Sequence, residues 1–565
     1  MNLTATTTAT PVQPESTAQR AFPPIAERIL IIGLDGATFD ALDPLLDEGR
    51  MPRLKQAIES GVSGRLRSTI PPMTPAAWTT FLTGRQPGAH GIIDFESYDV
   101  NTGQLLFNSA RKVAHIRNIW HTLSDLGFRV GSVNVPMTYP PSPVNGFVVS
   151  GFESPGADSD FVYPADVKAE ILQRWPDPTL QAKWRRKLGG GDALFERNLS
   201  YVSGSFHQGA DMTTWLGDRY GWDALMVVFK LVDNVQHKSW KYLDPRWPQR
   251  DPVRREMTKR CFEELDKAVG TLLDYAHKHG ATVMMLSDHG HGSLEGKVYP
   301  NRMLADWGYL TLQSAASQLA ARGRRIVDRW RKSNSTTSGP GRRNVEYYIP
   351  VDLSRTKACV THAGNAAFLY INLKGRQPTG IVEPGDYEAL RDELAERFMS
   401  PQCRVRRPDG DVIPLFTEVH KPEETYDCTR EDQPWMPDLI LIQHETLGAV
   451  RRLRGRRTVQ WLGYRKMEGT HRRDGIFIAT GPGIARRSDI SANIIDCAPT
   501  LLAMLGLRIP DDMTGRVLTE AFERSPIVES EAAHDRQADS AEGAVYSEEQ
   551  LREVTARLED LGYLE

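Results

Sequence analysis

The strongest constraint on the fold is a recurring pattern: a short, mostly apolar run with the character of a buried strand, followed closely by an aspartate. "RILIIGLDG" (28–36) is the first case, and "DALMVVFKLVD" (223–233) and "ATVMMLSDHG" (281–290) repeat it. "RVGSVNVP" (129–136) and "GFVVSGF" (146–152) are further strand candidates. A strand that is apolar on both sides has no solvated face, so it belongs in a sheet covered on both sides. Helical stretches lie between the runs, among them "DPLLDEGRMPRLKQAIESG" after the first and "REMTKRCFEELDKAVGTLLDYAHKHG" (255–280). The alternation predicts an α/β fold with a central, mostly parallel sheet and helices on both faces. "GIFIATG" (475–481) and "ISANIIDCAPTLLAMLG" (490–506) add a late strand and helix.

The chain has 565 residues, enough for a large core and more than one structural unit. Lys plus Arg (69) nearly balance Asp plus Glu (72), so net charge argues for neither a nucleic-acid nor a membrane partner. No basic stripe interleaved with aromatics is present, and no apolar run approaches the roughly 18 residues of a membrane span. Five scattered cysteines (261, 359, 403, 428 and 497) without CxxC spacing fit a reducing cytoplasm better than a disulfide framework or a thiolate metal site. The start, "MNLTATTTATPVQPESTAQRAFPP", has neither a charged beginning nor an apolar stretch and is expected to be a disordered leader (1–27), not a signal peptide.

Two regions interrupt the rhythm and are expected to be insertions. Residues about 153–215 carry Pro, Gly and Trp with little strand pattern, and 292–465 hold the basic run "ARGRRIVDRWRKSNSTTSGPGRRN", expected to be a solvated loop, and then "AAFLYINLKGRQPTG". The expected organisation is a catalytic core over 28–291 and 466–520, an inserted cap-like subdomain over 292–465, a polar linker over 521–545 and a C-terminal helix over 546–565, capped by Ser547.

Asp35 follows "ILIIGL"; Asp233 and His237 follow "LMVVFKLV"; Asp288 and His289 follow "VMML". In an open parallel sheet ligands bind beyond the carboxyl ends of the strands. Three strands therefore bring carboxylates to one rim, and His471, in "EGTHRRDGIFI", sits before another strand whose loop can reach it. Singly, each is better explained as a turn former, a cap or a surface helical pair. Together they would repel unless a cation neutralised them. Oxygen and imidazole donors without thiolates suit zinc, with manganese or another divalent ion as alternatives.

In "PPMTPAAWTTFLTG" (71–84), Thr74 before Pro75 makes a good N-cap for a helix ending at Gly84. The same geometry gathers the N–H groups of Ala76 and Ala77 around the hydroxyl, which makes an anion site. Beside two divalent cations, that hydroxyl becomes a nucleophile for phosphorus.

"LDGATFD", "PPMTPAAWTTFLTGRQPGAHGI", "DNVQH", "LSDHGHG", "EGTHRRDGIFIATGPGI" and "DCAPTLLAMLGLRIPDDMTGRVL" together resemble the alkaline phosphatase superfamily. The branch is the type I phosphodiesterase/nucleotide pyrophosphatase one, in its bacterial group of predicted phosphohydrolases or phosphomutases. The resemblance runs from about residue 28 to 520 and implies an alkaline-phosphatase-like sandwich with two divalent ions, zinc foremost. Asp35, Thr74, Asp288 and His289 would hold one ion, and Asp233, His237 and His471 the other. Thr74 would be the catalytic nucleophile, passing through a phospho-threonine.

Some positions depart from the family pattern. Pyrophosphatases carry Asn three positions after the nucleophile, where this chain has Ala77; Asn134 and Arg85 are candidate substitutes on the substrate side. Pro is missing at the third position and Arg at the fifth, which argues against a formylglycine sulfatase. His90 is expected to brace its loop, His291 to lie behind the ligands or be unrelated, and His362 to be a further candidate from the inserted region. The implied function is a phosphoric ester hydrolase acting on a small-molecule, nucleotide-linked phosphodiester or pyrophosphate. The alternative is a phosphomutase or phospho-group transferase using the same two-metal site.

Overall fold

A computed structural model describes residues 18–561 apart from 176, 179–183, 185–190, 248–249, 315–342, 345–348, 427, 431–432, 454 and 535–544. Five parallel strands form the centre of its largest sheet: β1 (Ile29–Gly33), β2 (Val130–Val135), β3 (Gly146–Ser150), β4 (Ala224–Val228) and β5 (Thr282–Leu286). Their spatial order is β5-β1-β4-β2-β3. Asp474–Thr480, Val62–Arg67 and Arg487–Asn493 extend the sheet beyond β5, and Val162–Tyr163 closes the other edge. Asp474–Thr480 runs antiparallel to both its neighbours.

The register decides where the chemistry can sit. Gly33 pairs with Val228 on one side and with Leu286 on the other, so β1, β4 and β5 end level. Two positions further on come Asp35, Lys230 and Asp288, all leaving the sheet at the same height.

Six helices matter here: α1 (Thr74–Thr83), α2 (Gly191–Tyr220), α3 (Leu231–Leu243), α4 (Pro252–Lys278), α5 (Cys497–Met504) and α6 (Glu548–Leu561). Along β1, Leu30 and Ile32 enter an apolar cluster shared with α2 and α4, while Ile29 and Ile31 enter another shared with α1 and α5. This alternation makes the sheet two-faced, as the apolar runs require.

Several expectations change. Part of the expected insertion at 153–215 is the 30-residue α2, which packs on α4, β2 and β4 and so belongs to the layer covering the sheet. Its apolar residues (Phe195, Leu199, Val202, Phe206) recur at helical spacing, a signal that the neighbouring Pro and Trp masked. Of the expected leader, residues 1–17 lie outside the described residues, but the stretch after them is docked. Phe22 N–H donates to the Gly506 carbonyl and Ile25 N–H to that of Met504. "KLVD" does not extend β4; the chain turns at Phe229 and starts α3, which carries both Asp233 and His237.

In the region 292–465, Ala358–Ala363, Ala367–Ile371, Leu439–Gln443 and Phe416–His420 form an antiparallel sheet with its own apolar cluster. Ile93, Tyr98 and Leu105 join that cluster, so its boundary in space does not follow the boundary in sequence. The basic run lies outside the described residues except Arg343–Asn344, which pair with Gln104–Leu105. Within the expected linker, Ser530–Glu531 pairs with Ile509–Pro510. Ser547 Oγ accepts from Gln550 N–H at the start of α6. No helix among the described residues is long and apolar enough to cross a membrane.

Candidate metal centre

The level ends of β1 and β5 place Asp35, Asp288 and His289 side by side, all fully buried. Helix α3 adds Asp233 and His237, one turn apart and therefore on one face. A two-stranded ribbon, β6 (Gly290–Leu294) with β7 (Glu468–Arg472), crosses the same rim and pairs His291 directly opposite His471. Directly opposed residues of an antiparallel pair present their side chains on one face. A hydrogen bond from the His237 ring to the Gly469 carbonyl (3.0 Å) locks α3 against β7. Gly469 is required there, since a Cβ would stand 2.4 Å from the Gln236 carbonyl oxygen.

The hydrogen bonds that these side chains make to the surrounding chain point outward from a common centre. Trp78 Nε1–H donates to Asp35 Oδ2 (3.0 Å), Gly36 N–H to Asp288 Oδ1 (2.9 Å) and Lys230 Nζ to Asp233 Oδ2 (2.7 Å). Asp35 Oδ1 and Asp288 Oδ2 are buried and accept nothing. The imidazoles repeat the arrangement, with Nδ1 of His237, His289, His291 and His471 on the carbonyl oxygens of Gly469 (3.0 Å), Gly290 (3.1 Å), Gly36 (3.0 Å) and Pro72 (2.9 Å). A neutral imidazole that donates from Nδ1 presents a lone pair at Nε2. Four lone pairs therefore face the centre. Nε2 of His237, His291 and His471 stands 3.2, 3.2 and 3.4 Å from Asp233 Oδ1, and two of those nitrogens are 3.0 Å apart.

Acceptors facing acceptors in a water-poor interior repel, and a cation among them turns the repulsion into ligation. Carboxylates and imidazoles oriented by a second layer of hydrogen bonds are the usual surroundings of a bound metal. Two overlapping groups have ligand atoms within 4.8 Å of one another: Asp233, His237, His291 and His471, and Asp35, Asp233 and His289. The residues fit a divalent-metal centre.

The electrostatics agree. Burial, reinforced by the neighbouring Asp288, raises the Asp35 carboxyl well above its usual range, and burial pushes Asp288 up to about 7. Burial would also raise Asp233, but His237 and Lys230 outweigh it and hold that carboxyl well below the ordinary value. Burial lowers His289, His291 and His471, so all three are neutral donors.

Thr74 Oγ lies 3.2 Å from His289 Nε2 and is fully buried. Its position differs from the expected cap: Met73 is the N-cap residue, without a side-chain bond, and Thr74 is the first residue of α1. Ala77 N–H is taken by the Met73 carbonyl, so of the expected pair only Ala76 keeps an N–H with no partner among the described residues. Trp78, one turn after Thr74, holds Asp35, so α1 carries both the hydroxyl and a brace.

Asn134 is the next-to-last residue of β2, the neighbour of β4, at a break in the register with β3. It is buried, has φ +56, and neither amide atom has a hydrogen-bond partner. Arg85 is a correction: it follows the far end of α1, roughly 15 Å along the helix axis from Thr74, and pairs with Asp512. His362 is another, facing Glu96 at 3.3 Å and not the metal centre. His90 braces its loop, taking Ile92 N–H on Nδ1 (3.1 Å) and facing Thr80 Oγ with Nε2 (3.0 Å).

Sequence reasoning missed three residues at the centre. Lys230 had a signal, a lysine inside an apolar strand end, which only the register converts into a place beside Asp35 (3.9 Å) and Asp233. His291 stood two residues from His289 but needed the β6–β7 pairing. Asn365, from the inserted region, accepts from His471 N–H (3.2 Å) and Thr470 Oγ–H (2.6 Å), a long-range contact without a local sequence mark.

The family model described as type I phosphodiesterase/nucleotide pyrophosphatase matches residues 29–471 of the chain. Two structures of phosphonoacetate hydrolase from Sinorhizobium meliloti 1021, with phosphonoformate and with phosphonoacetate, align with TM-scores of 0.51 at 16% and 15% identity. Each alignment covers 85% of this chain and 97% of the other. A structure of inactive murine ectonucleotide pyrophosphatase/phosphodiesterase 5 with AMP aligns at 13% identity over 85% and 95% of the two chains, with a TM-score of 0.43. No curated protein matches the chain.

Proposed function

The chain belongs to the type I phosphodiesterase/nucleotide pyrophosphatase family of the alkaline phosphatase superfamily, and from that premise we propose that it is a metal-dependent hydrolase of a small phosphodiester or pyrophosphate, with Thr74 as nucleophile. The observation that carries the reading is the convergence of carboxylate and imidazole lone pairs beside the Thr74 hydroxyl. Asp35, Thr74, Asp288 and His289 would hold one divalent ion and Asp233, His237 and His471 the other. The donor set favours zinc, with manganese as the alternative.

Two ions held there would supply Lewis acidity, lowering the pKa of the nucleophile and offsetting charge that develops on phosphorus. The rest falls to the chain. His289 Nε2, 3.2 Å from Thr74 Oγ, places the hydroxyl beside the ligand atoms and in reach of an ion that takes the imidazole lone pair, which sets the position from which Oγ attacks. Oγ displaces the leaving alcohol or phosphate, which departs with the hydroxyl proton, and becomes a phospho-threonine that still carries the substrate's other substituent; a water then opens the Oγ–P bond, its oxygen going to phosphorus and its proton back to Oγ. The Ala76 N–H at the positive end of α1 favours a non-bridging phosphoryl oxygen. The Asn134 amide, strained and unpartnered, is the substrate-side donor that Ala77 does not supply.

The test is purified protein with its metal content measured and an aryl phosphodiester offered beside the matching monoester and sulfate. About two equivalents of divalent metal and faster turnover of the diester are expected, with acid quenching trapping on Thr74 a phosphoryl group that retains the diester's second substituent in the mass spectrum. Equal or faster turnover of the monoester would move the reading to a phosphatase or mutase. A modified residue elsewhere would remove Thr74 from its role.

A further inference from the structure

We propose that His291 is a fourth protein ligand to the ion assigned above to Asp233, His237 and His471, making a centre of one aspartate and three histidines that holds its ion more tightly than the neighbouring one. The inference rests on the two-metal reading but goes beyond it, since the resemblance gave His291 no ligand role.

Three independent features place it there. The first is register: His291 pairs with His471 across β6 and β7, so one ribbon delivers both rings to one side. The second is direction. With Nδ1 on the Gly36 carbonyl, the lone pair on His291 Nε2 is aimed into the centre, 3.2 Å from Asp233 Oδ1, and that nitrogen has no hydrogen-bond partner.

The third is the room made for the ring. Gly36 adopts φ +69, and a Cβ there would stand 2.6 Å from His291 Cε1, so the turn after β1 is shaped around this imidazole. On its other side the ring stacks on Trp240, with centroids 6.3 Å apart. A histidine serving only the core would find a partner for both nitrogens. This one has its inward nitrogen aimed at the three other ligand atoms, all within 4.8 Å of one another.

One carboxylate and three imidazoles outnumber the two carboxylates and one imidazole that hold the neighbouring ion beside the Thr74 hydroxyl, and a zinc ion so held can still expand to take a substrate oxygen as a fifth ligand. The two ions should therefore differ in retention, the one at Asp233 being lost last.

The experiment titrates metal-free protein with Zn2+ against a chromophoric chelator, comparing wild type with His291→Phe. The Phe ring keeps the stacking on Trp240, and the Gly36 carbonyl keeps its bond from Gln236 Nε2 (2.6 Å). Wild type should bind two equivalents of unequal affinity. His291→Phe should weaken the tighter equivalent by at least about tenfold and leave the weaker one unchanged. Two unchanged affinities would overturn the proposal.

A second measurement needs no variant: wild-type protein labelled with 15N-histidine is loaded with 113Cd. Three imidazole nitrogens coupled to one cadmium and one to the other are expected. Two and one would overturn the assignment of His291 while leaving the two-metal reading intact. Failure to bind two equivalents at all would sink both.

Discussion

Thr74 Oγ faces His289 and caps no N–H of its own helix, which separates chemistry from stability at this residue. Thr74→Ala should abolish turnover at a stability cost below about 1 kcal/mol, the size of a cap that this hydroxyl does not make. Rate assays and thermal melts on one preparation check it; a variant that melts early and keeps its rate would point to a structural hydroxyl. Lys230 is the counterpart on the electrostatic side, a buried ammonium 2.7 Å from Asp233 Oδ2 in a cluster of three buried carboxylates. Lys230→Met removes the only lysine of that cluster among the described residues, and the metal-free protein should lose about 3 kcal/mol. Adding a divalent cation should shrink the difference from wild type, because it restores positive charge; denaturant titrations with and without metal read this directly.

At the scale of elements, the turn after β3 holds a buried acid outside the metal centre. Glu153 Oε1 accepts the N–H groups of Thr138 and Tyr139 (2.8 and 3.1 Å), and burial pushes its carboxyl from 4.5 up to about 7. A carboxyl raised in the folded state ionises first in the unfolded chain, so its contribution favours folding at acid pH. That contribution is lost as pH rises from about 4.5 to about 7. Glu153→Gln keeps an oxygen for the two N–H groups and cannot ionise. It should match or fall slightly below wild type at pH 4 and exceed it at pH 8 by roughly 3 kcal/mol at most. Urea titrations at the two pH values decide it; an equal difference at both would mean the acid does not titrate in this window. The strand–helix junction between Val228 and Leu231 shows why element boundaries escaped sequence reading: apart from Lys230 the apolar run continues unbroken from Ala224 to Val232, although the strand stops at Val228 and α3 has begun by Leu231.

At the scale of the whole molecule, the region beyond β6 is tied to the centre through Asn365, whose Oδ1 takes His471 N–H and Thr470 Oγ–H. Asn365→Ala leaves both buried groups without that acceptor and should cost about 1–3 kcal/mol, with weaker metal retention because the strand carrying His471 is loosened. Melting temperature and metal content after dialysis check both effects, and unchanged retention would show that the inserted region only covers the site. The sequence by itself determined the two-faced parallel sheet, because apolar runs without a solvated side permit little else. It also marked Asp35, Asp288 and His289, which need only the position where a strand stops. The tertiary structure alone decided the placing of Lys230, His291 and Asn365 and the exclusion of Arg85 and His362. Their positions depend on a level strand register, a ribbon joining residues about 180 apart in sequence and the length of α1. These are long-range quantities that no local pattern of side chains encodes.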